Sequence, residues 1–156
     1  MMSLRFPFDA LERSREVERI VIKDGKRMYH RFRAAPYYGG IATADAVGCS
    51  FLCAYCWNYW RNLNPERFDK FYSAQQVASL LLKIARRRSF NLFRVTGSEP
   101  VLGEASLQHL LEVMDIIFRE APFSVFILET NGFFLGTRVD LIKKLKIKNL
   151  WVRVAI

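Results

Sequence analysis

From Ile41 onward the chain repeats one unit: a short apolar run of strand character, a turn, then a longer stretch with apolar residues at helical spacing. "IATADAV" (Ile41 to Val47), "NLFRVTG" from Asn91, "FSVFILETNG" (Phe123 to Gly132) and "NLWVRVAI" (Asn149 to Ile156) read as strands. Between them lie "SAQQVASLLLKIARRRS", which Ser73 caps, "SLQHLLEVMDIIFRE" (Ser106 to Glu120) and "TRVDLIKKLKI" (Thr137 to Ile147), which read as amphipathic helices. Helices that cross over between successive strands impose parallel pairing, so the fold class is α/β. At 156 residues the chain has room for one such core and not for two.

A different pattern comes first. "FDALERSREVER" from Phe8 reads as a helix capped by Asp9, and the strand-like runs on either side of Asp24-Gly25 read as a hairpin. "APYYGG" then interrupts with proline and paired glycines, which divides the chain into a helix-and-hairpin appendage over 1–38 and an α/β core over 39–156. The fourth core strand runs to Ile156 with no helix behind it. The expectation is therefore a fold truncated after its fourth strand, or an edge closed by a partner chain.

Apolar runs such as "VFIL" at Val125 to Leu128 fall far short of the roughly 20 residues a membrane helix needs, and the N-terminus turns charged before a signal-like segment can form. The expected location is the cytoplasm, with no membrane partner. A net charge of +9 suits an anionic partner, but the basic runs "RRR" (Arg86 to Arg88) and "KKLKIK" (Lys143 to Lys148) sit at expected helix ends, where cations complement the helix dipole.

All three cysteines lie in "VGCSFLCAYCWN", residues 47–58. Clustered thiols in a cytosolic chain point to metal or catalysis rather than to disulfides. On a helix, Cys49, Cys53 and Cys56 would share one face as small buried hydrophobes, but Gly48 opens the segment and Phe51, Leu52, Tyr55 and Trp57 would leave that helix apolar all round. A structural zinc ion takes four ligands, and the two histidines, His30 and His109, fall in the hairpin and on a helix. A four-iron cluster gripped by three thiolates leaves one iron with an open position, and the missing fourth cysteine favours chemistry over electron storage. In parallel α/β folds ligands gather at the carboxyl ends of the strands, where "GCSFLCAYCWN", "TGSEP" and "ETNG" all fall.

The spacing C-x3-C-x2-C, with an aromatic residue before the last cysteine, resembles the signature of the radical S-adenosylmethionine (radical SAM) enzymes. In order after it, "TGSEP" (Thr96 to Pro100) is similar to that family's Gly-Gly-Glu-Pro segment, with Ser98 where glycine is usual, and "ETNG" (Glu129 to Gly132) to its Thr-Asn-Gly segment. The resemblance implies a partial TIM-like (β/α) barrel and a 4Fe-4S cluster on Cys49, Cys53 and Cys56. It further implies a pocket for S-adenosylmethionine, with Tyr55 on the adenine side, Gly97, Ser98 and Glu99 at the methionine amino group, and Thr130 and Asn131 facing in. The implied chemistry is reductive cleavage of S-adenosylmethionine to a 5'-deoxyadenosyl radical, which abstracts hydrogen from an unknown substrate: protein, small molecule or nucleic acid. An external one-electron donor such as a ferredoxin or flavodoxin would be needed. Trp57-Asn58 resembles the aromatic-Asn pair of the activating-enzyme type. The alternative is a non-catalytic three-cysteine metal-binding or electron-transfer module.

Overall fold

The computed structural model describes residues 7–155; residues 1–6 and Ile156, the end of the expected fourth strand, lie outside the described residues. Helix α1 (Ala10–Val21) starts where Asp9 accepts hydrogen bonds from the Leu11 and Glu12 amides at 2.8 and 2.9 Å, the expected cap. Strands β1 (Ile22–Lys23) and β2 (Lys26–Ala35) follow, joined by Asp24 and Gly25, both at positive φ as a two-residue hairpin turn requires.

The core contributes β3 (Ile41–Ala46), α2 (Tyr59–Leu63), β4 (Phe71–Tyr72), α3 (Ala74–Arg88), β5 (Leu92–Thr96) and α4 (Glu104–Glu120). It continues with β6 (Val125–Thr130), α5 (Phe133–Thr137), α6 (Val139–Ile142) and β7 (Leu150–Val154). The sheet order is β1-β2-β3-β5-β6-β7, with β4 paired to β2, and β3, β5, β6 and β7 are mutually parallel. The sheet curls into a half-barrel, the partial TIM-like arrangement expected for the class.

The hairpin does not stand apart from this sheet. β2 pairs antiparallel with β3 from Ala35↔Ile41 to Tyr29↔Ala46 and so extends the parallel core by one strand. Because side chains alternate along a strand, Ala42, Ala44 and Ala46 of β3, Phe93 and Val95 of β5, and Phe126 and Leu128 of β6 turn to one face. There they pack with Val77, Ala78 and Leu81 of α3 and Leu110, Val113 and Met114 of α4. The other, inner face is apolar at the strands' amino ends, where Ile41, Leu92 and Ile127 cluster, and polar toward their carboxyl ends, where it carries Thr43, Asp45, Arg94, Thr96, Glu129 and Arg153.

α3 begins with a capping box: the Gln76 amide donates to the Ser73 hydroxyl, and the Ser73 amide donates back to Gln76 Oε1. α4 is capped from a distance. The Ser106 amide donates to the Glu18 carboxylate of α1 at 2.8 Å, and the Ser106 hydroxyl accepts from the Leu102 and Gly103 amides. Where a single helix is expected over Thr137 to Ile147, the chain forms only the short α6 and a 3-10 turn, with α5 ending at Thr137 ahead of them. Arg138 leaves helical geometry at φ −133, ψ 65, and its guanidinium is tied to Asp140 and to Glu104 on α4, while Phe134, Leu135 and Leu141 on either side enter the core. Anchoring at both ends and a sideways ion pair between them outweigh continuous helix.

Candidate cofactor site

The three rim segments meet on one cavity of about 580 Å³, walled by Cys49, Cys56, Gly97, Ser98, Glu99, Thr130 and Asn131 among others. Two glycines permit that closeness. Gly48 has φ +94, and a Cβ there would stand 2.5 Å from Val17 Cγ1 of α1, so the cysteine loop leaves β3 pressed against the N-terminal helix. Gly97 has φ +87, and a Cβ there would stand 2.9 Å from the Asp45 Cβ. The Glu99 amide then donates to the Gly48 carbonyl at 3.0 Å, which joins the cysteine loop to the Gly97–Glu99 turn.

Glu99 is the centre of the assembly. It is buried, and its Oε1 accepts from the Thr130 hydroxyl at 2.6 Å and the Val101 amide at 2.9 Å, while Oε2 accepts from the Asn131 amide at 2.7 Å. Burial pushes its pKa up, and the bonds from Thr130, Asn131 and Val101, with the Arg27 charge, oppose that rise. A carboxylate offers about four acceptor positions, so three protein bonds leave capacity for one further donor. Asn131 carries the network onward: its side-chain amide reaches the Ser50 hydroxyl at 3.0 Å and the Cys49 sulfur at 3.8 Å. Ser98, where the family usually has glycine, has a use for its side chain. Its hydroxyl donates to Asn62 Oδ1 at 2.6 Å and accepts from the Asn58 amide group at 2.9 Å.

The cysteine loop is looser. It forms turns rather than a helix, so the one-face helical stripe does not occur, and all three thiols are half-buried. Cys49 and Cys56 line the cavity and Cys53 does not. Tyr55 also lies outside it, 83% exposed, and Trp57 and Trp60 are 62% and 74% exposed, whereas Phe51 packs on Phe133 with ring centroids 5.2 Å apart. His109 is a packing residue: it is buried, its ring nitrogens lie 3.3 Å from the Gly25 carbonyl and 3.2 Å from the Tyr29 hydroxyl, and burial lowers its pKa to about 4. His30 packs against Trp57 and Phe68.

Two features fit the loop to an anionic iron-sulfur group. Donors already point at sulfur: the Phe51 amide to Cys49 and the Asn58 amide to Cys56, each at 3.4 Å, with the Asn62 side chain 3.7 Å from Cys56. Behind the loop, Arg13 and Arg27 are almost completely buried within electrostatic reach of Cys49, and Nε and Nη1 of both have no hydrogen-bond partner among the described residues. Buried cations without a full set of partners are costly unless negative charge lies close by. Among the described residues no three His, Cys, Asp or Glu side chains converge closely enough to hold a single metal ion. A cluster differs from an ion in this respect, because each thiolate takes a separate iron.

The sequence marks Asn58 only through the Trp57-Asn58 pair and does not mark Asn62, Ser50, Arg13 or Arg27 as site residues. Asn58 had a usable signal, its place two residues after the last cysteine, and Asn62 sits one helical turn beyond it. Arg13 and Arg27 read as ordinary charged positions, and only the packing reveals them.

A parallel half-barrel with cysteines, a Gly-Ser-Glu turn and a Thr-Asn pair on one rim places the chain among partial (β/α) barrels. The sequence profile of the radical SAM superfamily matches residues 45–156, and the chain belongs to that superfamily. It is also 26% identical over 102 residues to a probable GTP 3',8-cyclase of Saccharolobus solfataricus, an alignment spanning 65% of this chain and 29% of that protein. Probable GTP 3',8-cyclases of two Saccharolobus islandicus strains match with the same identity and coverage. The chain thus spans less than a third of the curated relatives it matches. No helix among the described residues is long and apolar enough to cross a membrane.

Proposed function

We propose that this chain forms the cofactor-binding part of a radical SAM enzyme, with Cys49, Cys53 and Cys56 holding a 4Fe-4S cluster and the adjoining cavity receiving S-adenosylmethionine. When bound and reduced by a donor of the ferredoxin or flavodoxin kind, such a cluster supplies the electron that cleaves S-adenosylmethionine to methionine and a 5'-deoxyadenosyl radical. The observation that carries the reading is the Glu99 junction, which ties the turn at Gly97 to Thr130 and Asn131 beside Cys49.

The residues divide the work. Glu99 Oε2 and the backbone of the Gly97–Glu99 turn are acceptors for the cofactor's ammonium, since charge-assisted hydrogen bonds are the stronger kind. Thr130 and Asn131 hold that carboxylate in place rather than binding on their own. Asn58 and Asn62 fasten the cysteine loop to Ser98, and the Asn62 carbonyl accepts from buried Arg13 at 2.6 Å. Tyr55 reaches the adenine only if the exposed loop folds inward on loading. Residues 39–156 are read as the cofactor core, with 1–38 built onto its edge, and the protein as cytoplasmic.

The relatives' GTP does not pass to this chain, because the aligned part covers 29% of their length. The test is anaerobic reconstitution followed by reduction with S-adenosylmethionine present. Brown protein that releases 5'-deoxyadenosine is the expected result, and a colourless protein that retains one zinc would favour the three-cysteine binding module instead.

A further inference from the structure

The inner face of the half-barrel carries a second site beside the cofactor cavity. Arg31 and Arg33 of β2, Arg94 of β5 and Glu129 of β6 enclose a pocket of about 350 Å³ together with Tyr37 and Trp57. That volume lies at the small end of ligand pockets and matches a metabolite rather than a polymer. The pocket shares Trp57, Thr96 and Glu129 with the cofactor cavity, so a molecule in one lies against whatever occupies the other.

Its charge is not balanced from within. Three guanidiniums and one carboxylate, Glu129, line it; Glu129 is shared by Arg94 at 3.1 Å and by Arg153, outside the pocket, at 3.6 Å, and Arg31 and Arg33 share Asp45, also outside the lining, at 2.7 and 2.8 Å. Arg31 spends only its Nε on Asp45, and Arg94 spends Nε on Thr43 and Nη1 on Glu129. The two terminal nitrogens of Arg31 and one of Arg94 therefore keep donors with no protein partner among the described residues. An aromatic ring neighbours each guanidinium, with the Trp57 centroid 5.7 Å from Arg31 Cζ and the Tyr37 centroid 5.0 Å from Arg94 Cζ. With Nε engaged, Arg31 keeps its two terminal nitrogens, the edge that grips an oxyanion in bidentate fashion, and Arg94 keeps Nη2 as one further donor.

We propose that this pocket binds the carboxylate or phosphate group of a small anionic substrate, with Arg31 and Arg94 donating to the oxyanion and Arg33 adding its charge. The assignment rests on the radical SAM reading above, because it places the substrate next to the cofactor cavity.

The test titrates iron-free protein with pyrophosphate and, separately, with malonate at low ionic strength, by calorimetry. Iron uptake is measured on separate portions of the same preparations. Arg31→Gln is the informative variant, since that side chain is 47% exposed and its loss spares the core; Arg33→Gln is the second, and Arg86→Gln on the outer helix is the control. Melting curves confirm that each variant is folded. Binding of either probe that weakens at least about tenfold in Arg31→Gln and Arg33→Gln, and not in Arg86→Gln, supports the site, and the tighter probe names the head group. No binding, or equal weakening in all three variants, overturns it while leaving iron uptake and the enzyme reading intact. Arginine-dependent binding by a protein that takes up no iron overturns the substrate assignment together with the cofactor reading.

Discussion

The two sides of the cofactor cavity are built differently. On one side Glu99, Thr130 and Asn131 are locked by short hydrogen bonds between the ends of β5 and β6, and Glu99 is buried. On the other, the loop through Cys49, Cys53 and Cys56 is held by a few bonds at its ends, and its aromatic residues Tyr55 and Trp57 stand in solvent. Rigid donors and acceptors suit a small molecule whose charged groups must meet them without rearrangement. A loop left loose suits a ligand that supplies its own cross-links, because metal binding can furnish the free energy that orders its site. The cradle is preformed, and the loop is the side that binding of the proposed cluster would order.

The largest effect expected from breaking this contrast is at the loop. Cys53→Ala removes one of the three proposed cluster ligands, and iron uptake should fall to background while the thermal melt of the iron-free protein stays close to the parent's; iron analysis and a melting curve read both. On the cradle side the order reverses, with stability taking the damage. Glu99→Ala strands the Val101 and Asn131 amides and the Thr130 hydroxyl, and leaves Arg27 without its nearby charge. The cost should be about 3–5 kcal/mol in chemical denaturation, and Glu99→Gln should recover part of it.

A pH scan sharpens the contrast only after a contribution from outside the site is subtracted. His109 is held neutral by burial, with its pKa lowered to about 4. The unfolded chain takes up this proton near pH 6.5, so the stabilisation is complete above that value and is lost as pH falls from 6.5 to about 4, where it levels off. The loss amounts to something on the order of 3 kcal/mol, and it should vanish in His109→Gln. Burial raises the Glu99 pKa, so its contribution has the opposite slope and weakens as pH rises from its ordinary value.

Smaller still is Asn58→Ala, which unties the loop from the Gly97 carbonyl and the Ser98 hydroxyl. It should lower stability by about 1–2 kcal/mol and speed amide exchange over the loop more than over the strand ends. Tyr55→Phe, at an exposed position, should leave the thermal melt of the iron-free protein unchanged.

The order of these effects follows what could be read from the chain. Strand and helix alternation carried the parallel core, because period-2 and period-3.6 patterns survive in β3 to β7 and in α3 and α4. The cysteine spacing and the segments at Gly97 and Thr130 marked the rim. Burial of Glu99 was not legible, since a carboxylate in a turn reads as solvent-facing until its partners arrive from a strand end about 30 residues away. The same holds for Arg27, which contacts the Glu99 carbonyl at 2.7 Å across 72 positions of sequence. The broken helix after Thr137 escaped because its interruption comes from Arg138 pairing with Glu104 on another helix, a tertiary contact that overrides local propensity.

The most direct measurement is electron paramagnetic resonance of the anaerobically reconstituted, reduced protein before and after S-adenosylmethionine is added. A cluster gripped at three corners predicts a 4Fe-4S signal that changes on addition, and the change should be weakened in Glu99→Gln. A signal indifferent to S-adenosylmethionine, or no iron signal from carefully oxygen-free protein, would contradict the account.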